Sequence, residues 1–179
     1  GRAVIGNKGL ETLPAAYGAD LGLNWKPIPH LYLNAALWYL YLQQEFVYTD
    51  DGTIEPGGKT RREGIDFSAR YQLAKWLFAD LNVNLAKPRL VGAEKGEDYL
   101  ALAPTFTSTG GLDFKFENGI NGGISYRYMH KRPGNENYTL TADGYYVTDL
   151  KVNYTKKRYE VGLSIENLFN TKWNEFEAE

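Results

Sequence analysis

No cysteine occurs in the 179 residues. That removes disulfide scaffolds, thiolate nucleophiles and cysteine-held metals, while leaving the compartment open, because disulfide-free chains occur in the cytosol, the periplasm and the outer membrane. Histidine is reduced to His30 and His130. Neither sign of charge predominates: 20 Lys and Arg against 22 Asp and Glu leave a formal net charge of -2, so the basic excess of a nucleic-acid groove is missing and no nucleic-acid partner is expected. No apolar run approaches the roughly 20 residues that a membrane helix needs, and the first residues lack the charged, apolar and small-residue order of a signal peptide. A helical membrane protein is thereby excluded. A transmembrane barrel is not, because its strands alternate and never produce such a run.

What the chain does have is 14 Tyr, 8 Phe, 4 Trp and 19 Gly, with only 7 Pro, arranged in a period-two alternation that spells strands rather than helices. Tyr17, Ala19, Leu21, Leu23 and Trp25 share one face and Gly18, Asp20, Gly22 and Asn24 the other. A second segment runs from about Leu31 to Val47. A third sets Ile65, Phe67, Ala69, Tyr71 and Leu73 against Gly64, Asp66, Ser68, Arg70 and Gln72, and a fourth sets Leu77 to Leu85 against Phe78 to Asn84. A fifth lies around residues 103 to 116, and a sixth follows Asn118-Gly119, a pair that supplies the positive φ angles of a tight hairpin. The seventh carries Tyr146, Leu150, Val152 and Tyr154, and the eighth Tyr159, Val161, Leu163 and Ile165. The length suits one domain of this kind. The expected fold is all-β, an antiparallel up-and-down meander of about eight strands, either a membrane β-barrel or a fragment of one.

The connections alternate too. Short turns join strands one and two, three and four, five and six, and seven and eight. Long, polar connections lie at roughly 48 to 60, 88 to 102 and 131 to 144. A meander sends successive hairpin ends to opposite rims, and short turns on one rim with long loops on the other describe outer-membrane barrels. Alternation alone does not decide which face is wet. Three features favour lipid outside. The strands are about ten residues long, enough to span at a tilt. The polar faces carry Asp20, Asp66, Arg70, Asp80, Asp113, Lys115, Arg127, Asp149 and Lys151, which are expected to form an ion-paired, hydrated wall. Trp25, Tyr39, Tyr41, Tyr71, Tyr126, Tyr128, Tyr154 and Tyr159 sit near strand ends, where interfacial rings belong.

Beyond the eighth strand, Val161-Gly162-Leu163-Ser164-Ile165-Glu166 runs into Asn167-Leu168-Phe169-Asn170-Thr171-Lys172-Trp173. This resembles the penultimate-strand segment of TonB-dependent outer-membrane receptors. Arg62 to Phe67 looks like the family's entry into an inner barrel strand, and the segment after Tyr145, with Tyr146, Asp149 and Lys151, like its third-from-last strand. The resemblance implies a barrel of 22 strands filled by an N-terminal plug domain, importing an iron chelate or a similarly scarce nutrient with energy from the TonB complex. It further implies that this chain, residues 1–179, is a C-terminal portion of that barrel, about strands 14 to 21, with the plug, the TonB box and the final aromatic-ended strand outside it and Gly1 to Ala16 as the tail of an outer loop. An isolated piece of this kind is expected either to close on itself as a small barrel or to pair its edges with another copy.

Candidate functional residues follow from location. Loops on a rigid wall carry function, so the long-loop rim is expected to bind the nutrient, such as a metal chelate, through Tyr48, Asp50, Asp51, Arg89, Glu94, Asp98, Tyr99, His130, Arg132, Asn137 and Tyr138. Catalysis has little support: His130 lies beside Lys131 and Arg132, His30 sits in a short turn, and the HExxH, EF-hand and phosphate-binding glycine motifs are missing. No cofactor and no resident metal are expected, and Gly122-Gly123 reads as close strand packing. The chain is therefore expected to be no enzyme, with outer-membrane lipid among its partners. The rival readings are a small soluble barrel holding an apolar ligand and a membrane-barrel enzyme.

Overall fold

A computed structural model describes residues 14–48, 54–56 and 58–173. The strands are β1 (Ala16–Trp25), β2 (Leu31–Leu42), β3 (Phe46–Tyr48), β4 (Ile54–Pro56), β5 (Thr60–Ala74), β6 (Leu77–Leu90), β7 (Phe106–Lys115), β8 (Ile120–Met129), β9 (Arg132–Pro133), β10 (Thr141–Ala142), β11 (Tyr145–Lys156) and β12 (Tyr159–Ile165). The eight long strands make one sheet in the order β1-β2-β5-β6-β7-β8-β11-β12. Every neighbouring pair in it is antiparallel. This is the meander that the alternation predicts.

Two local expectations are corrected. The second segment does not run unbroken to Val47. It stops at Leu42, and Phe46–Tyr48 pairs instead with Ile54–Pro56 as a separate hairpin. The break falls where Glu45 turns back onto β5: its carboxylate accepts a bond from Thr60 Oγ1 at 2.5 Å and meets the Arg62 guanidinium. At the Asn118-Gly119 turn only Gly119 has positive φ, at 100°. Gly119 N donates to Phe116 O at 3.2 Å and Phe116 N to Ile120 O at 2.8 Å, so the loop has three residues and needs one left-handed position rather than two. Asn118 contributes through its side chain, accepting from Ile120 N at 3.0 Å.

The Gly122-Gly123 pair is close strand packing, as the sequence suggests. A Cβ on Gly122 would overlap the carbonyl oxygen of Lys151, and one on Gly123 would lie 2.9 Å from that of Leu112.

Register fixes the tilt of the wall. A row drawn across the sheet from Trp25 passes through Leu33, Ala69, Leu81, Gly110, Tyr126 and Thr148. There it leaves the sheet, because Thr148 O accepts from Leu168 N, beyond the last β12 residue, Ile165. The strands are thus staggered steadily in one direction, which is what a tilted barrel wall requires.

The sheet does not close. Among the described residues β1 and β12 each pair on one side only, which corrects the expectation that the piece seals itself into a small barrel. The physical reason lies in the geometry of closure: a sheet seals into a barrel only where strand tilt and shear match the strand number, and these eight strands leave β1 and β12 apart.

Candidate functional site

Residues paired across neighbouring strands share a face, so the register sorts every side chain of the wall. One face carries Leu21, Leu37, Ile65 and Leu85 in one row and Leu23, Ala35, Phe67 and Val83 in the next. Across β5 and β6 it holds no charge from Ile65 to Leu73 or from Leu77 to Leu85, a band about 20 Å tall at about 3.4 Å per residue and a tilt of roughly 40°. Rings bound the band at both ends. At the short-turn end Trp76 stacks on Phe116 at 5.1 Å and Tyr154 lies 6.2 Å from Tyr159. At the long-loop end Tyr17 lies 6.3 Å from Tyr41, Phe106 is 5.7 Å from Tyr128, and Tyr126 stacks on Tyr146 at 5.5 Å. Large side chains such as Leu21, 74% exposed, and Val161, 65% exposed, stand outward uncovered. An apolar band between two aromatic girdles faces lipid, which removes the reading of a soluble barrel with an apolar interior.

The opposite face is polar, and its trough of about 1530 Å³ is lined by Arg70, Asp80, Asp113, Lys115, Arg127 and Asp149, among others. The expected ion-paired wall is only partly realised. Among the described residues, Arg127–Asp149 at 3.7 Å is the ion pair between the charges expected there. Side-chain amides do more of the bridging: Asn34 donates to Asn24 at 2.6 Å, Asn121 to Thr155 at 3.1 Å and Asn153 to Asn121 at 3.4 Å, and Asn84 meets Asp66. The cross-strand partners of Lys151 and Asp113 are both Gly123, and the Asp113 carboxylate lies over that glycine, so neither charge has a charged residue as its direct partner there.

The long-loop rim gathers several of the expected binding residues. Arg89, near the end of β6, forms a bridge with Tyr99. Its guanidinium lies 4.2 Å above the Tyr99 ring, and its Nε is 3.4 Å from Asp98 Oδ2. The Tyr99 ring lies 5.1 Å from that of Tyr138. Asp98, Arg89, Tyr99 and Tyr138 therefore form one stack spanning two long connections, held by Leu90 N on Asp98 O at 2.8 Å and Tyr99 N on Glu136 O at 3.1 Å. Tyr138 presents its exposed ring from a left-handed backbone at φ 55°. Such a stack can grip a flat aromatic group and donate hydrogen bonds to anionic oxygens.

The other expected residues lie apart from that stack. His130 bonds Tyr128 Oη through Nδ1 at 3.0 Å. Asn137 accepts from Thr139 N at 3.2 Å within its own turn, and Glu94 is exposed in the turn closed by Glu97 N at 3.0 Å. Arg132 is 2% exposed, its Nε donating to Leu102 O at 3.1 Å and its Nη1 to Asp143 O at 3.4 Å. It braces the loops from beneath. Tyr48 belongs to β3, and Asp50 and Asp51 lie outside the described residues. Among the described residues no group of three or more His, Asp or Glu stands close enough to hold a metal ion.

A second cluster was not singled out from the sequence. The Asn167 side chain donates to Thr171 O at 2.9 Å and accepts from Thr171 N at 2.8 Å, while Asn167 N donates to Asp149 Oδ1 at 2.8 Å. The segment folds back so that Trp173 lies 4.8 Å from Tyr145, with the Arg127 guanidinium 5.8 Å from its ring. The signal for it was present in the Asn167 to Trp173 motif itself.

Comparison with known proteins follows the same lines. The family model described as TonB dependent receptor-like, beta-barrel, matches residues 14–168. The catecholate siderophore receptor Fiu of Escherichia coli (strain K12) is 27% identical over 166 residues, covering 87% of this chain and 22% of that protein. The chain thus spans about a fifth of the length of the curated relatives it matches. Among solved structures, the ferric yersiniabactin uptake receptor FyuA from Yersinia pestis superposes with a TM-score of 0.72 at 14% identity, over 90% of this chain and 26% of that one. The open form of Fiu from E. coli K12 gives 0.66 at 21% identity, over 91% of this chain and 23% of that one.

Proposed function

The chain belongs to the TonB-dependent receptor-like β-barrel family, outer-membrane transport receptors rather than catalysts, and from that premise we propose that its long-loop rim recognises an iron chelate bearing aromatic, anionic donors. The observation that carries this reading is the stack of Asp98, Arg89, Tyr99 and Tyr138, with ring and guanidinium separations of 4.2 and 5.1 Å. A catecholate complex of ferric iron offers flat rings and negatively charged oxygens at one edge, which suits stacking on Tyr138 and charge-assisted bonds from the cationic side of the stack. The relative that matches at 27% identity is itself a catecholate siderophore receptor.

On this reading the eight strands are the C-terminal portion of a larger barrel. Support comes from the unpaired outer sides of β1 and β12, which hydrocarbon does not tolerate, and from the fifth of a relative's length that the chain covers. Further strands of the same receptor would flank both edges, a plug domain would occupy the polar trough, and the TonB complex would supply energy.

The test is uptake of radiolabelled ferric catecholate by cells whose only such receptor carries this chain. Replacing Arg89 and Tyr138 together by Ala is expected to cut binding and uptake by about tenfold or more, as loss of a charge-assisted bond and a stacking partner implies. Unchanged uptake with normal receptor levels in the membrane would sink the assignment.

A further inference from the structure

We propose that Asn135 is a positioning residue for ligand recognition at the long-loop rim, fixing the turn that presents the Tyr138 ring. The proposal rests on the reading that this ring stacks on the bound chelate. The residues from Gly134 to Leu140 connect β9 to β10 as the loop of a small hairpin, whose strands are only 2 residues long each. So short a ladder does little to shape its loop, and side chains take over. Asn135 is the one buried residue of that loop, 9% exposed, and both ends of its amide are engaged: Nδ2 donates to Thr139 Oγ1 at 2.8 Å and Oδ1 accepts from Leu140 N at 3.1 Å. Its main-chain carbonyl accepts from Tyr138 N at 3.3 Å. One residue thus holds the chain on both sides of Tyr138. Thr139 extends the hold, its hydroxyl donating to Asn137 Oδ1 at 2.7 Å, and Gly134 N closes the neck of the loop on Leu140 O at 2.9 Å.

Tyr138 needs that hold. Its φ of 55° lies in the left-handed region, which a bulky side chain enters only at a cost. Freed from Asn135, the backbone would relax to an ordinary conformation and carry the ring away from Tyr99, which now lies 5.1 Å from it. The same loop carries Glu136, whose carbonyl accepts from Tyr99 N at 3.1 Å. Both rings of the stack therefore take their places from one loop, and that loop takes its shape from one buried amide. A ring held in place before the ligand arrives spares binding the entropy of ordering it. Asn135 itself, buried under the loop, acts through Tyr138 rather than by touching the chelate. Only an amide supplies both a donor for Thr139 Oγ1 and an acceptor for Leu140 N; a carboxylate keeps the acceptor and loses the donor.

The test is a double-mutant cycle on the purified receptor carrying this chain, titrated with a ferric catecholate complex and read by quenching of its intrinsic fluorescence. N135A is expected to weaken binding about tenfold in the unaltered background and by less than about twofold in the Y138A background, because its effect passes through the ring. N135D, which keeps the acceptor for Leu140 N, should recover part of the loss. Equal losses in the two backgrounds would mean that the loop merely collapses, and would overturn the proposal. So would N135A binding as tightly as the unaltered receptor while Y138A does not. A second readout needs no ligand: the Leu140 amide should exchange its hydrogen faster in N135A, and an unchanged rate would overturn the proposal on its own. If Y138A alone binds as tightly as the unaltered receptor, the ring does not touch the chelate and the functional reading falls instead, so the two failures are distinguishable.

Discussion

The wall and the loops of this molecule are stabilised in opposite ways. Along β1 every described residue is exposed, and along β12 likewise; elsewhere in the sheet side chains are mostly half-buried on both faces. Apart from Gly110 in mid-wall, the buried residues, among them Leu100, Ala103, Arg132, Asn135, Ala142, Thr60, Ser108, Val147 and Thr148, lie in the long connections or toward the strand ends beneath them. The wall is a partition between two solvents and has no core of its own. Its order comes from the hydrogen-bond ladder and from having the right face toward each solvent. The loops, standing in water above it, do what a small soluble domain does and bury a few side chains around a hydrogen-bonded centre.

The sharpest way to break this comparison is to put a charge on the wrong side of the partition. Leu81 and Asn82 are sequence neighbours on opposite faces, Leu81 pairing with Ala69 in the middle of the apolar band and Asn82 with Ser68 on the lumen side. Leu81→Arg is expected to destabilise the receptor by about 2–4 kcal/mol. Asn82→Arg should cost little, losing only a long 3.5 Å bond to Thr109. Denaturant titration of the receptor refolded into lipid vesicles measures both. Equal effects would mean that the faces have been assigned wrongly.

The second break targets the loop centre. Arg132→Leu deprives the carbonyls of Leu102 and Asp143 of their buried donor, a loss of about 1–3 kcal/mol. Its effect should stay local. Amide hydrogen exchange is expected to quicken across the connections at 91–105 and 130–144 while the ladder between β5 and β6 keeps its protection. A uniform rise across the sheet would mean that the loops and wall are one cooperative unit.

The same contrast explains what could be read in advance. The wall was legible because lipid and lumen impose a period of two on every strand, so Ile65 to Leu73 and Leu77 to Leu85 declare their faces without reference to any partner. The loop site was legible in place but not in role. Arg132 stands in a polar run and has the look of a solvent-facing cation; among its partners are the main-chain carbonyls of Leu102 and Asp143, and carbonyls carry no residue identity. Arg89 and Tyr99 were expected at the rim as separate candidates. Their stacking depends on the β6 end meeting the next connection, a non-local fact. Which of closure or edge pairing the strands adopt was not legible, because strand number alone permits an eight-strand barrel, whereas tilt and shear are properties of all the strands together.

Asn167 sits where the two regimes meet, and its replacement is the smallest and most discriminating test. Its φ of 53° lies in the left-handed region that Asn tolerates better than other side-chain-bearing residues, and its amide clasps Thr171 in both directions at 2.9 and 2.8 Å. Asn167→Ala should cost about 1–2 kcal/mol by combining backbone strain with the lost bonds, and Asn167→Gly should cost less, because it removes the bonds but relieves the strain. In both, Trp173 loses its hold beside Tyr145 and Arg127, and its fluorescence should shift to the red. If Asn167→Gly leaves the emission unchanged, the backbone alone folds the segment inward and the clasp belongs to the wall. If both variants shift it while the denaturation midpoint stays fixed, the segment behaves as the loops do, packed by its own side chains onto a wall that does not need it.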